Sequence, residues 1–249
     1  MLRIIATLIT LILVSMSLSG CKGETGPVGP PGILSGNLYG QVFLSDEDSS
    51  DIVDNSGVAV SVLGTDYSTM SGIDGWWRIV GLRTGTYTLV FSKAGYGTYK
   101  HFGFQFVGGD SLFYGWSYLG NIARFYVTSF AASVGLDSVV HLTGTVSSPG
   151  RPGVSRFVVV FLDTIATVSS THYLFTLSSN ISSNTSFSLN YNEREFALYY
   201  GIQSGSTLYC VSYGVSNSGG SAYYDPTLRS SIYPTLSPTP SQVVSVKLP

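Results

Sequence analysis

Residues 56–96 read SGVAVSVLGTDYSTMSGIDGWWRIVGLRTGTYTLVFSKAGY. Three short apolar runs alternate with a period of two, and turn residues separate them, which is the pattern of consecutive antiparallel strands with one buried face. Val58, Val60 and Val62 recur at every second position and share one side of a strand, while Ala59 and Ser61 take the other. Asp74-Gly75 supplies a tight hairpin turn, because glycine tolerates the positive φ that such a turn demands. Beyond it, alternation sends Trp77 and Ile79 inward and Trp76 and Arg78 outward. Residues 81–85 (GLRTG) read as a second turn, followed by Tyr87, Leu89 and Phe91 as the inward side of a third strand.

The segments GVAVSVLGT (57–65), DGWWRI (74–79), GLRTGTYTL (81–89) and KAGY (93–96) stand in one order. That series resembles the carboxypeptidase regulatory-like domain, a transthyretin-like β-sandwich, over residues 36–120. The resemblance implies a fold and no catalytic residue, because members of this family occur as non-catalytic appendages. The family's namesake accompanies a zinc peptidase, whereas here His101, His141 and His172 are scattered and no H-x-x-E pair is present.

Composition points the same way. Only 10% of the 249 residues are charged and the formal net charge is −2, so the chain has no basic stripe for nucleic acid. Abundant Gly, Ser, Thr and Tyr suit all-β domains with many turns better than helices. The length predicts two domains of ordinary size.

At the start of the chain, Arg3 precedes a continuous apolar run over residues 4–17 and then Leu18-Ser19-Gly20-Cys21. This reads as a secretory signal over residues 1–20, too short for a comfortable membrane span. The LSGC ending is similar to the lipobox of bacterial lipoproteins, which implies acylation of Cys21 and attachment to a membrane by that lipid. Lys22, rather than Asp, then implies outer-membrane sorting. Residues 21–35 hold the lipidated Cys and GETGPVGPPG, collagen-like triplets too few for a triple helix, which read as an extended spacer.

Two further groups of residues are candidate sites. Asp46, Glu47, Asp48, Asp51 and Asp54 crowd one loop, and Asp46, Asp48 and Asp51 are candidate Ca²⁺ ligands, since that ion takes six to eight oxygens. The spacing lacks the Gly and closing Glu of an EF-hand, so a solvated cap on the sheet end is the competing reading. An aromatic cluster runs through Tyr99, His101, Phe102, Phe104, Phe106, Phe113, Tyr114, Trp116 and Tyr118. Of these, with Trp76, the residues Tyr99 and Trp116 are candidate carbohydrate contacts, because aromatic faces stack on the apolar side of sugar rings; core packing is the alternative.

Residues 121–249 restart the β pattern. Strands are expected over 124–132, 139–146, 157–162, 187–191, 196–200, 208–212 and 243–248, the run FVVVFL at 157–162 being continuous and so buried on both sides. This implies a second sandwich of immunoglobulin or fibronectin type III kind. The Pro-spaced segment 233–240 reads as an ordered crossover, and the triplets at Asn180 and Asn184 as loop residues. With Cys21 lipidated, Cys210 has no disulfide partner, and neither zinc spacing nor a nucleophile or phosphate motif is found. The sequence therefore predicts two tandem sandwiches forming a non-catalytic, lipid-anchored envelope module. Its expected partner is a glycan or another envelope protein; the alternative is an accessory or metal-dependent component of an envelope hydrolase or polysaccharide-uptake system.

Overall fold

The computed structural model describes residues 32, 34–154, 156–181, 185–216 and 222–249. The signal, Cys21 and all of the spacer before Gly32 lie outside the described residues, as does Asn184. From residue 34 onward the chain forms one compact unit.

Its first half is built from β1 (Ser35–Ser45), β2 (Ala59–Val62), β3 (Ser68–Met70), β4 (Trp76–Arg83), β5 (Gly85–Ser92), β6 (Tyr99–Phe106) and β7 (Leu112–Gly120). They form two sheets, ordered β4-β1-β7 and β3-β2-β5-β6. Between the sheets lie the side chains that alternation placed inside: Val58, Val60, Val62, Trp77, Ile79, Leu89 and Phe91, each no more than 3% exposed. Trp77 lies over Gly40, where a Cβ would come within 2.7 Å of its ring, so β1 carries a glycine beneath the indole.

The order in which the runs pair differs from expectation. β2 pairs with β5, whereas β4 pairs with β1 in the other sheet, so the chain changes layers at Thr84, the single residue between β4 and β5. Thr84 Oγ1 lies within hydrogen-bond distance of the carbonyls of both Leu34 and Val107, between which its one proton is shared, and fixes this corner. Residues 81–83 therefore belong to a strand rather than to a turn. Leu82 is fully buried, and the ladder accommodates it by a bulge in which Asn37 of β1 opposes Val80 and Gly81 of β4.

The second half comprises β8 (Val127–Val134), β9 (Val139–Val146), β10 (Arg156–Asp163), β11 (Phe175–Ile181), β12 (Ser186–Asn192), α1 (Glu193–Tyr200), β13 (Thr207–Val215), β14 (Tyr223–Asp225), β15 (Ser230–Ile232) and β16 (Val244–Lys247). Sheets β11-β10-β13-β16 and β12-β9-β8 face one another over a core that includes Val140, Leu142, Val160, Leu162 and Cys210. β10 is buried on both faces, as its unbroken apolar run predicts. Val158, Val160 and Leu162 enter the sandwich, while Val159 and Phe161 pack outward with Val168, Tyr173, Val211, Tyr233 and Leu236. That outer cover is the crossover 233–241, tied down by Ser237 N to Gly214 O and Ser241 N to Ser212 O, each 2.8 Å.

Two expectations in this half are corrected. Phe196, Leu198 and Tyr200 alternate in sequence but sit on α1, where Phe196 is buried and Leu198 is 76% exposed. Helical spacing brings Phe196 and Tyr200 onto one side, both against Phe175. The Asn192 side chain accepts from Arg194 N, Glu193 and Glu195 occupy the first turn, and Gly201 closes the helix at φ 68°. Capping thus overrides the period of two. Asn180 belongs to β11, opposite Phe157, and is not a loop residue.

Candidate functional site

Alternation that buries one side of a strand necessarily presents the other. On the sheet β4-β1-β7 the outward positions are Trp76 and Arg78 of β4, Tyr39, Gln41 and Phe43 of β1, and Phe113, Trp116 and Tyr118 of β7. Register aligns them in rows. Tyr39 stands between Arg78 and Phe113, Gln41 between Trp76 and Trp116, and Phe43 beside Tyr118. Four rings touch in sequence, Trp76 to Tyr39 at 6.3 Å, Tyr39 to Phe113 at 5.4 Å and Phe113 to Trp116 at 5.9 Å between centroids, and Phe43 and Tyr118 form a separate pair at 5.5 Å. Yet Trp76, Trp116 and Tyr118 remain 44%, 64% and 55% exposed.

Strict alternation would place Phe113 and Trp116, three residues apart, on opposite sides. A bulge at Tyr114-Gly115 corrects their phase, since Gly40 alone of β1 opposes these two residues of β7 and Gly115 takes φ 111°. Tyr114 consequently turns inward onto Trp77 and Phe91, and its hydroxyl meets His101 Nδ1 at 2.8 Å. Burial, with a smaller contribution from Tyr99, pushes the Tyr114 hydroxyl well above the usual phenol range. Asp74 organises the other edge of the platform. Its carbonyl accepts from Gln41 Nε2 at 2.7 Å and its carboxylate from Trp76 N at 3.2 Å. Beside Trp76 opens a cleft of about 520 Å³, lined by Tyr39, Thr69, Met70, Trp76, Trp77, Arg78 and Ser111.

The structure thus unites two of the sequence-derived carbohydrate candidates, Trp76 and Trp116, on a single face. Tyr99 is not with them. It lies on β6 in the opposite sheet, half-buried against Phe91 at 6.0 Å and edge-on to Tyr223 of the second half at 5.8 Å. Tyr39 completes the platform and sequence reading overlooked it, as it did the shared phase of Phe113 and Trp116. Gly115 inside an aromatic run was the available signal.

The acidic loop meets arginines. Arg156 Nε donates to Asp48 Oδ1 at 2.9 Å and Arg156 Nη2 to Glu47 Oε1 at 3.0 Å; Arg151 Nε reaches Asp48 Oδ2 at 2.9 Å and Arg151 Nη2 reaches Asp46 Oδ2 at 2.7 Å. Asp48 is 6% exposed and Arg156 7%, and the Arg156 guanidinium also lies 4.8 Å from the centre of the Phe125 ring. Burial raises the Asp48 carboxyl, but the hydrogen bonds and charges of Arg156 and Arg151 outweigh it and hold the group below its ordinary value. Asp46 and Asp48, expected as calcium ligands, are therefore engaged as one half of a clasp joining the two sandwiches, and Asp51 lies apart, exposed, in an isolated bridge to Ser45. Among the described residues no group of three or more His, Cys, Asp or Glu side chains converges to hold a metal ion.

No protein-family model matches the chain, and no curated protein sequence is similar to it. Among solved structures, a candidate carbohydrate binding protein from Bacteroides uniformis aligns over 86% of this chain and 100% of its own, at 16% identity and a TM-score of 0.34. A DUF3823 family protein from Parabacteroides merdae aligns over 88% of this chain and 100% of its own, at 13% identity and a TM-score of 0.32. A second DUF3823 family protein, from Bacteroides ovatus, aligns over 86% and 100%, at 15% identity and a TM-score of 0.32.

Proposed function

We propose that this chain is a non-catalytic envelope protein that binds polysaccharide on the outer face of β4-β1-β7. The observation that carries the reading is the ring-to-ring row of Trp76, Tyr39, Phe113 and Trp116, packed against itself and open to solvent. Pyranose rings present an apolar C–H face that lies flat on indole and phenol rings, and their equatorial hydroxyls need donors and acceptors at the edges. Gln41 and Arg78, interleaved with the rings, supply them. Trp76 and Trp116 flank Gln41 from strands on either side, so they stand about 10 Å apart, a span suited to successive residues of an extended glycan.

The first sandwich, on this reading, is a carboxypeptidase regulatory-like module, and acylation of Cys21 holds the protein to the outer membrane. Affinity electrophoresis of the purified chain through gels containing polysaccharides tests the binding. Trp76→Ala and Trp116→Ala should each restore free mobility while melting within about 1 °C of the parent, as exposed substitutions generally do; retardation identical to the parent in both variants would sink the platform. Incorporation of labelled fatty acid, with Cys21→Ser as the contrast, tests the anchor: equal labelling of the two proteins argues against it.

A further inference from the structure

The cleft beside Trp76 has one charged wall. Arg78 is the only ionisable group with charge at neutral pH among its lining residues, and it stands in register with Tyr39 and two residues from Trp76 on the same side of β4. Among the described residues it makes no ion pair, in contrast to Arg151 and Arg156, whose guanidiniums are occupied by three carboxylates. The hydroxyls of Thr69 and Ser111 share the rim with it. A guanidinium is the side chain best suited to grip a planar or tetrahedral oxyanion through paired hydrogen bonds.

Resting on the polysaccharide reading above, we infer that this cleft is a subsite for an acidic pyranose, one carrying a carboxylate or a sulfate. The substituent of such a sugar projects sideways from the ring rather than from its face. When the ring lies on Trp76 and Tyr39, the anionic group is directed to the edge of the platform, where Arg78 stands. Neutral residues of the same chain continue across Phe113 and Trp116, where no charged side chain is interleaved.

The test compares a polyuronate, the same polymer after its carboxyl groups have been reduced to alcohols, and a sulfated polysaccharide, each titrated into the purified chain and into Arg78→Met, Arg78→Lys and Trp116→Ala. Thermal melting of every variant serves as the folding control. The expected result is that Arg78→Met weakens binding of the preferred polyanion about tenfold, the loss of one charge-assisted contact, and that carboxyl reduction weakens binding of the polyuronate by a similar factor. The two changes together should cost little more than either alone, and Arg78→Lys should recover part of the loss. Whichever of the polyuronate and the sulfated polymer binds more tightly identifies the anion. Equal affinity for native and reduced polymer, with Arg78→Met indistinguishable from the parent, overturns the acidic subsite; if Trp116→Ala still abolishes binding in that case, the platform reading stands without it. Failure of every polymer to bind overturns both.

Discussion

Trp77 and Trp76 are neighbours in sequence and opposites in role. The inward ring packs 5.7 Å from Phe91 and is 3% exposed, so Trp77→Ala should remove about 3–5 kcal/mol of stability, measured by urea unfolding, whereas Trp76→Ala should cost well under 1 kcal/mol and act on binding instead. Cys210 makes a second contrast. It is fully buried, and burial pushes its thiol up to about 12, so it stays protonated at neutral pH and lacks the thiolate that reacts. Peptide mapping after treatment with an alkylating reagent at pH 8 should find it unmodified in the folded protein and modified after denaturation. Single side chains on regular strands were legible in the sequence, because a period of two assigns each to a side. Tyr39 and Phe113 were not, because their contribution depends on which strands become neighbours and on a bulge that shifts the phase.

At the level of elements, caps and corners decided where pattern alone misled. α1 follows directly from β12, and its sequence offers an alternating trio that reads as a strand until the cap at Asn192 and the glycine at position 201 are weighed. Asn192→Ala should destabilise the protein by about 1 kcal/mol. Gly201→Ala, at a positive φ, should cost a similar amount through backbone strain. Chemical denaturation checks both, and loss of helical signal before the main transition would show α1 fraying independently. The layer change at Thr84 was equally hidden. Residues 81–85 carry good turn chemistry, but the pairing of β4 with β1 is a choice between distant partners that local sequence does not record.

For the molecule as a whole, the clasp between Asp46, Glu47 and Asp48 and the two arginines fixes how the sandwiches meet. Its members lie 103 to 109 residues apart, and that separation explains why the acidic run looked like a cation site or a solvated cap. Removing Asp48 takes away the carboxylate that the two arginines share and leaves the buried Arg156 with Glu47 as its one remaining carboxylate partner. Asp48→Asn should therefore cost about 3 kcal/mol, and combining it with Arg156→Met should cost less than the sum of the two. The pH dependence follows from the lowered Asp48 value. A carboxyl held below its unfolded pKa contributes stability that is complete above the ordinary carboxylate range and is lost as pH falls through the folded value. Urea midpoints between pH 7 and pH 3 should fall in the parent and fall less in Asp48→Asn; parallel slopes would show that the clasp carries no acid sensitivity.

The double-sided burial of β10 has a consequence for biosynthesis. Ribosomes release chains from the amino end, so the oily outer flank at Val159 and Phe161 emerges 72 to 77 positions before Tyr233 and Leu236, which screen it. Until those late residues arrive, the nascent polypeptide carries an adhesive stripe prone to aggregation.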